Sequence, residues 1–240
     1  MDDIYSILFF TIAAGACIPI GGFIASFERI QSKWLEQELR HFIIAFGGGI
    51  LVGAVAVVLV PEGMEHMHHS MFAVPAFIIG GVVFFFVERA LALNKRAAPQ
   101  MMGMLLDFVP EAMALGGLMA LDASAAPLLA VLIGLQNLPE GFNSYRELIA
   151  QNGNRTKNTL LKMTSLVLLG PLAGLSGYFF LSDHEMVLGG IMLFASGGIL
   201  YLIFQDIAPQ SRLHRHWGPP LGAVLGFSLA MFSEMLVSAA

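Results

Sequence analysis

Runs of about twenty apolar residues recur along the chain, and they constrain its fold more than any other feature. A helix of about 20 residues crosses the hydrocarbon layer of a bilayer, which is about 30 Å thick. Because 57% of the 240 residues are hydrophobic and only 12% are charged, a soluble domain could not bury this apolar surface. The sequence therefore predicts an all-α polytopic membrane protein with a single transmembrane domain, residues 1–240. Its eight predicted spans are approximately residues 4–26, 41–61, 71–93, 100–121, 126–148, 160–182, 186–208 and 218–238.

The basic residues lie in or beside alternate connectors. All twelve fall at the connectors that follow spans one, three, five and seven, whereas the opposite loops contain Asp, Glu and His but no Lys or Arg. Since positively charged loops stay in the cytoplasm, we expect a multi-pass protein of the cell membrane with both termini outside. The basic residues are Arg29, Lys33, Arg40, Arg89, Lys95, Arg96, Arg146, Arg155, Lys157, Lys162, Arg212 and Arg215.

The N-terminus and the cysteine content narrow the class further. Met1-Asp-Asp3 is acidic and lacks the basic region that opens a signal peptide, so we expect the first span to be retained. Cys17 is the only cysteine, which excludes an intramolecular disulfide and a cysteine-based metal cluster.

Polar side chains interrupt two of the apolar spans in the same pattern. Span four contains Asp107-Phe-Val-Pro-Glu111, and span five contains Gln136-Asn-Leu-Pro-Glu140, 29 residues later. A carboxylate at the centre of a bilayer costs about 2.5–3.5 kcal/mol on insertion scales. Since no Lys or Arg lies near these carboxylates in the sequence, we expect them to bind a cation.

The helical repeat places these polar residues on two surfaces that can face each other. Residues i and i+4 share one face of a helix, so Asp107 and Glu111 point the same way from span four. Gln136 and Glu140 do the same from span five. Because the two spans are antiparallel neighbours joined by a short loop, up to four oxygen-bearing side chains can meet.

The prolines of the two motifs add backbone oxygen atoms. Each proline breaks the hydrogen bond to the carbonyl four residues before it, which frees the carbonyls of Leu106 and Leu135. Asn137 contributes a further oxygen beside Gln136. The alternative is that the prolines only kink these helices and that the carboxylates are protonated or hydrogen-bonded.

Spans two and seven contain matching segments. Gly48-Gly-Ile-Leu precedes Pro61 in span two, and Gly197-Gly-Ile-Leu precedes Pro209 in span seven. Span two runs outward and span seven runs inward, so the match predicts inverted halves, spans 1–3 and 6–8, around a central pair. Inverted repeats with a midplane site are a recurring transporter plan. The alternative is a chance likeness between glycine-rich helices, since small residues also serve helix packing.

These motifs resemble those of the ZIP family of divalent-metal transporters. Gln136-Asn-Leu-Pro-Glu-Gly141 matches the span-five motif of the family, and Asp107-Phe-Val-Pro-Glu-Ala112 matches the span-four motif, His-Asn-x-Pro-Glu-Gly, with departures. Gln205-Asp-Ile-Ala-Pro closes span seven where relatives often have His-Glu-x-x-Pro, so the resemblance covers essentially the whole chain. It implies eight spans with both termini outside, arranged as a 3-2-3 inverted repeat.

The resemblance implies one principal metal site and puts a second one in doubt. The predicted metal-binding residues are Asp107, Glu111, Gln136, Asn137 and Glu140, of which Asn137 belongs to the second, adjacent site of the family. That second site also maps on Phe108 and on Gly170, whose side chains cannot bind metal. We therefore expect it to be lost or much weakened.

The ligand set bears on which metal is bound. Relatives commonly have His at the position of Asp107, and imidazole suits zinc. Here the set contains only carboxylate and amide oxygens, which suit Mn²⁺ or Fe²⁺, although zinc also accepts carboxylates. The family implies zinc, whereas the residues favour a broader or shifted selectivity.

Two other segments could contact metal near the membrane surfaces. The outer loop Glu65-His-Met-His-His69 could gather metal before entry, or it is an ordinary solvated loop. Gln205 and Asp206 end span seven, where they either line the cytoplasmic exit or form a plain helix end.

We expect a divalent-metal transporter rather than an enzyme. It would carry zinc, or a related Mn²⁺ or Fe²⁺ ion, into the cytoplasm through the site on spans four and five, with no prosthetic group. Its partners would be the metal ion and the lipid bilayer but no nucleic acid. The sequence leaves open whether the protein forms a homodimer. An intramembrane hydrolase lacks support because neither Gly-x-Ser-x-Gly nor His-Glu-x-x-His occurs. The alternative is a non-transporting membrane metal sensor or scaffold, which is motivated by the missing ligands of the second site.

Overall fold

The structure, a computed structural model, describes residues 2–27, 33–93, 99–121, 124–152, 156–214 and 216–238. Within these ranges the chain is helical and has no β-strand, which confirms the all-α prediction. The helices are α1 (Asp2–Phe27), α2 (Lys33–Ala54, continuing to His66), α3 (Ala73–Leu93), α4 (Pro99–Leu121), α5 (Ala126–Asn152), α6 (Thr156–Leu166 and Leu169–Leu181), α7 (Glu185–Leu202, continuing to Ser211) and α8 (Pro219–Ser238).

Helices of the described chain include seven stretches that are long and apolar enough to cross a membrane. They correspond to predicted spans one to four and six to eight, with ends that differ by a few residues. Helix α5, at 27 residues, is also long enough, but amide and acidic side chains make it less apolar than the others. The seven stretches support a multi-pass membrane protein, and the eighth span stays a prediction. The seven are Asp3–Phe27, Gln37–His66, Ala73–Leu91, Gln100–Leu121, Thr156–Leu181, Glu185–Ser211 and Pro219–Val237.

Successive helices alternate in direction, which gives the molecule two chemically different ends. We call the end at which α1 begins and α8 finishes the terminal end, and the opposite one the basic end. The described basic side chains belong to helix turns or connectors nearest the basic end; they are Arg40, Arg89, Arg146, Lys157, Lys162 and Arg212. The predicted loop charges Arg29, Lys95, Arg96, Asp122, Arg155 and Arg215 lie outside the described residues.

Four helix pairs pack with their backbones in contact: α1 with α5, α4 with α6, α2 with α8, and α3 with α7. In each pair a glycine makes the approach possible. A Cβ atom placed at Gly141, Gly116, Gly49 or Gly197 would overlap a backbone carbonyl oxygen of the partner helix. Small residues at such crossings let membrane helices gain close van der Waals packing, which substitutes for the hydrophobic effect in lipid.

These pairs form two groups of helices. Helices α1, α4, α5 and α6 make one group, and α2, α3, α7 and α8 make the other. The groups meet where α2 packs against α5 and where α7 packs against α4. Since the two polar motifs lie on α4 and α5, they are placed at the boundary between the groups.

Helices α2 and α7 each contain a short π-helical segment at matching positions. The segments are Val55–Leu59 and Ile203–Ile207, each followed after one further residue by a proline. In both, the N–H of the residue before proline donates to a carbonyl five residues back, Val60 to Val55 and Ala208 to Ile203. A proline lacks its own N–H and clashes with the preceding turn, so a wider turn at this position relieves the conflict.

The glycine contacts give a first testable prediction. Gly197→Ala should destabilise the protein by about 1–3 kcal/mol, because the new methyl group would push α7 away from the Phe77 carbonyl of α3. Thermal unfolding in detergent would measure the effect. Gly190→Ala, on the same helix with no atom within 4 Å of the added Cβ, is the matched control and should leave the unfolding temperature unchanged or higher. Equal unfolding temperatures for the two variants would contradict the close packing of α3 and α7.

Candidate metal centre

Helices α4 and α5 bring the two polar motifs together at mid-helix. The Nε2 amide of Gln136 donates a hydrogen bond of 2.5 Å to Oε2 of Glu111, across the interface between the helices. Glu111 and Gln136 have no exposed surface, and Asp107 is 2% exposed. Glu140 is only partly buried. The predicted residues of both motifs therefore share one site, although their ability to bind metal stays a prediction.

The site holds several buried oxygen atoms without a hydrogen-bond partner among the described residues. They are Asp107 Oδ1, Glu111 Oε1, Gln136 Oε1, Asn137 Oδ1 and Glu140 Oε2. An unsatisfied buried polar atom costs about 1–3 kcal/mol. Ionised carboxylates and amide oxygens are acceptors only, so these atoms require donors or a cation. Their chemistry fits a hard or borderline divalent cation.

The three carboxylate groups of the site do not converge on a single point. Asp107, Glu111 and Glu140 are near enough for their charges to interact. Nevertheless, no three Asp, Glu, His or Cys side chains among the described residues are close enough to hold one ion. Coordination of one ion by all three carboxylates would require their side chains to rotate. The amide oxygen of Gln136 would then be a neighbouring ligand.

Asn137 contacts a different helix from the other four predicted ligands. Its Nδ2 amide donates a 3.0 Å hydrogen bond to the backbone carbonyl of Ala14 on α1. Because this bond orients the side chain toward α1, Asn137 helps to hold α5 against α1. Its other amide atom, Oδ1, is among the unpartnered oxygens of the site.

The ring of Phe108 fills the space next to the site. Phe108 is completely buried, and an ideal Cβ at Gly170 of α6 would lie only 2.9 Å from its Cζ atom. The same Cβ would lie 2.9 Å from the carbonyl oxygen of Thr11 on α1. A ligand-bearing side chain at position 170 therefore has no room while Phe108 is present. The expectation of a single metal site stays a prediction.

A cavity runs from the polar site toward the basic end. It has space of about 50 Å³, enough for one ion or a few water molecules. Asp107 and Glu140 line its inner part, and Asn143, Gln100, Asp206 and Gln210 line the part nearer the basic end. Its remaining walls are apolar or glycine, from Ile43, Ile44, Gly47 and Gly48 of α2, Gly103 and Met104 of α4, Pro139 of α5, and Leu202 and Ile207 of α7.

The opposite direction is closed by apolar packing. On the terminal side of Glu111 and Gln136, the leucines Leu115 and Leu118 of α4 and Leu129 and Leu132 of α5 are fully buried. The polar site is thus continuous with the basic end and sealed from the terminal end.

Hydrogen bonds join the two helix groups at the end of this cavity nearest the basic end. The Nε2 amide of Gln100 donates to Oε1 of Gln210, whose own amide donates a 2.5 Å hydrogen bond to Asp206. The backbone N–H of Gln100 donates to Glu147 at 3.1 Å. Of the two residues predicted near this exit, Asp206 lines the cavity, whereas Gln205 is exposed and does not.

Sequence reasoning missed several of the polar residues along this path. Asn143 and Glu147 continue the face of α5 that carries Gln136 and Glu140, since all four recur at a spacing of three or four residues. Gln100 lies on the cavity face of α4, two turns from Asp107. This helical spacing could have identified Asn143, Glu147 and Gln100 from the sequence.

The histidine segment at the end of α2, Glu65-His-Met-His-His69, does not form a metal-binding cluster in the structure. His66 Nε2 lies 3.9 Å from Oε2 of Glu62, one turn earlier on α2. His68 and His69 are exposed and have left-handed backbone angles, with φ of 51° and 52°. These angles shape a turn after α2 and are uncommon for residues other than glycine.

Comparison with known proteins gives no match: no protein-family model matches the chain, and no curated protein sequence is significantly similar to it.

The contact between Phe108 and Gly170 gives a second prediction. Phe108→Ala should destabilise the protein by about 3–5 kcal/mol, because it removes a fully buried ring. Gly170→Ala should cost less in the Phe108→Ala background than alone, with a coupling of about 0.5–3 kcal/mol, because one of its two clashes is gone. Reversible unfolding in detergent would provide the four free energies.

An exposed aromatic ring provides a matched control. Phe232 of α8 is 55% exposed, so Phe232→Ala should cost far less than Phe108→Ala and should show no coupling with Gly170→Ala. Additive costs of Phe108→Ala and Gly170→Ala would contradict the contact between these residues.

Proposed function

We propose that this protein is a ZIP-like divalent-cation transporter of the cell membrane. The observation that carries the proposal is the buried, oxygen-only group on α4 and α5, which is continuous with a cavity toward the basic end. Carboxylates within membrane helices are expensive and mark ion or substrate pathways. In this proposal the metal ion is the substrate, and the protein needs no prosthetic group and catalyses no reaction.

The arrangement of helix pairs supports an inverted repeat of spans 1–3 and 6–8. If the first half is related to the second by inversion, α1 corresponds to α6, α2 to α7, α3 to α8 and α4 to α5. The pair α1–α5 then corresponds to α6–α4, and the pair α2–α8 to α7–α3. These are the four pairs with glycine-mediated backbone contact. The matching π-helical segments of α2 and α7 agree with the same relation.

The charge distribution supports the orientation in the membrane. With α5 as the eighth span, the basic end faces the cytoplasm and both termini lie outside. The cavity then opens to the cytoplasm, and its polar residues provide a path from Asp107 and Glu140 to Asp206.

The boundary between the helix groups supports a transport cycle. The site lies on one group, whereas α2 and α7 of the other group cover the cavity. Movement of one group against the other would expose the site to each side of the membrane in turn, as in other transporters built from repeats. Protons compete with metal for the same oxygens, so protonation of the carboxylates favours release of the ion.

Removal of the two motif glutamates tests this mechanism. In proteoliposomes, Glu111→Ala/Glu140→Ala should reduce uptake of zinc or manganese at least 10-fold, because the two carboxylates of the Pro-Glu motifs are lost. The matched control is Asp183→Ala/Glu185→Ala, which removes two exposed carboxylates at the terminal end. That variant should transport like the unmodified protein. Undiminished uptake by the glutamate variant would refute the proposed site.

The choice of metal depends on the oxygen ligands. Asp107→His introduces an imidazole, which suits zinc better than manganese, so it should raise the zinc-to-manganese uptake ratio several-fold. A transport panel of Zn²⁺, Mn²⁺, Fe²⁺ and Cd²⁺ on the purified protein would measure it. Asp107→Asn, which keeps an oxygen ligand, is the control and should not shift the ratio toward zinc. An unchanged ratio in Asp107→His would argue against metal contact at this position.

The second candidate is a membrane metal sensor or scaffold that binds the ion without moving it. The observation that favours it is the buried ring of Phe108 against Gly170, at two positions where the resemblance to the ZIP family would require ligands of the second metal site. Saturable metal binding by the purified protein, together with no flux above that of protein-free liposomes, would select the sensor over the transporter.

A further inference from the structure

A second cavity lies at the basic end, between α2 and the last turns of α7. It has a volume of about 260 Å³. Its lining residues are Arg40, His41 and Ile44 of α2, and Pro209, Gln210 and Arg212 at the end of α7. Two guanidinium groups and an imidazole therefore share one small pocket at the level where the helices end.

Among the residues that the structure describes, the two arginines of this pocket have no direct counterion. Both are exposed, and neither makes an ion pair with a described carboxylate. Glu147 is near enough for its charge to interact with Arg40, but it accepts a hydrogen bond from the Gln100 backbone. The Nδ1–H group of His41 donates to the Gln37 carbonyl at 2.6 Å, which holds the imidazole ring in place.

The position of this pocket is unusual for a protein that handles cations. Ile44 and Gln210 line both this pocket and the cavity that leads from the polar site, so the two are adjacent. At the mouth of the proposed cation path, two arginines that no described carboxylate neutralises would repel the ion. A bound anion would remove that repulsion.

We propose that Arg40, His41 and Arg212 bind a phosphate group, supplied by the headgroup of an anionic phospholipid in the leaflet at the basic end. Arginine forms bidentate hydrogen bonds to phosphate oxygens. Basic pockets between membrane helices on the cytoplasmic side are known binding sites for such headgroups. Arg40 lies in the early turns of α2 and Arg212 directly follows α7, which places both near the membrane surface. The site does not depend on metal transport.

Native mass spectrometry of the purified full-length protein tests the lipid. Incubated with equal amounts of phosphatidylglycerol and phosphatidylcholine, the protein should retain about one phosphatidylglycerol, with at least a 10-fold preference. Arg40→Gln/Arg212→Gln should abolish this preference. The matched control, Lys157→Gln/Lys162→Gln, removes two exposed charges from α6 at the same end and should keep it. If the double arginine variant does not fold, each single variant should weaken retention at least 3-fold.

The source of the phosphate is distinguished by a second measurement. Calorimetric titration with inorganic phosphate in detergent should show weak or no binding if the lipid is the ligand. Saturable phosphate binding that requires both arginines, without lipid preference, would keep the anion site but assign it to a soluble phosphate compound. Equal retention of the two lipids with no phosphate binding, or a preference that survives removal of both arginines, would overturn the proposal. Neither result depends on metal uptake.

Discussion

The burial of carboxylate and amide oxygens between α4 and α5 is the constraint on which the rest of the architecture depends. Glu111 and Gln136 share one hydrogen bond, but Oε1 of Glu111 and Oε1 of Gln136 have no hydrogen-bond partner among the described residues. Such atoms are tolerated at membrane depth only when they line a cavity or have another function. The surrounding helices bury these atoms and leave a cavity beside them on the basic side, which Asp107 and Glu140 line. The glycine contacts of α1 with α5 and of α4 with α6 hold the two site helices in place.

The prolines have different structural effects in the two helix groups. In α2 and α7 the proline follows a π-helical segment, which relieves the conflict with the preceding turn. In α4 and α5, Pro110 and Pro139 lie within helices that continue on both sides. Neither proline can donate to the carbonyl four residues before it, and these carbonyls belong to Leu106 and Leu135, which directly precede the buried Asp107 and Gln136.

The all-α class, most helix boundaries and the meeting of Glu111 with Gln136 could be predicted because each depends on local periodicity. Apolar runs give the lengths of the helices, and an i, i+4 spacing gives the faces. The pairing of helices could not be predicted, because it depends on where glycines from distant segments meet, such as Gly197 against α3. The hydrogen bond of Asn137 to α1 also depends on this pairing. The cavity could not be predicted either, because Asp206 and Gln210 line it from α7 and the position of α7 depends on helix pairing.

In the proposed transporter, the depth of each polar residue favours transient rather than permanent ion binding. Asp107 and Glu140 line the cavity, whereas Glu111 and Gln136 lie behind them, fully buried and joined by a hydrogen bond. An ion that leaves the site toward the basic end would contact the first pair last. Full coordination would require Glu111 to exchange its bond with Gln136 for the ion, which weakens net binding relative to a preformed cage. Weak binding by these two successive pairs of residues favours entry and release of the ion. A transporter needs both steps, whereas a structural metal site does not.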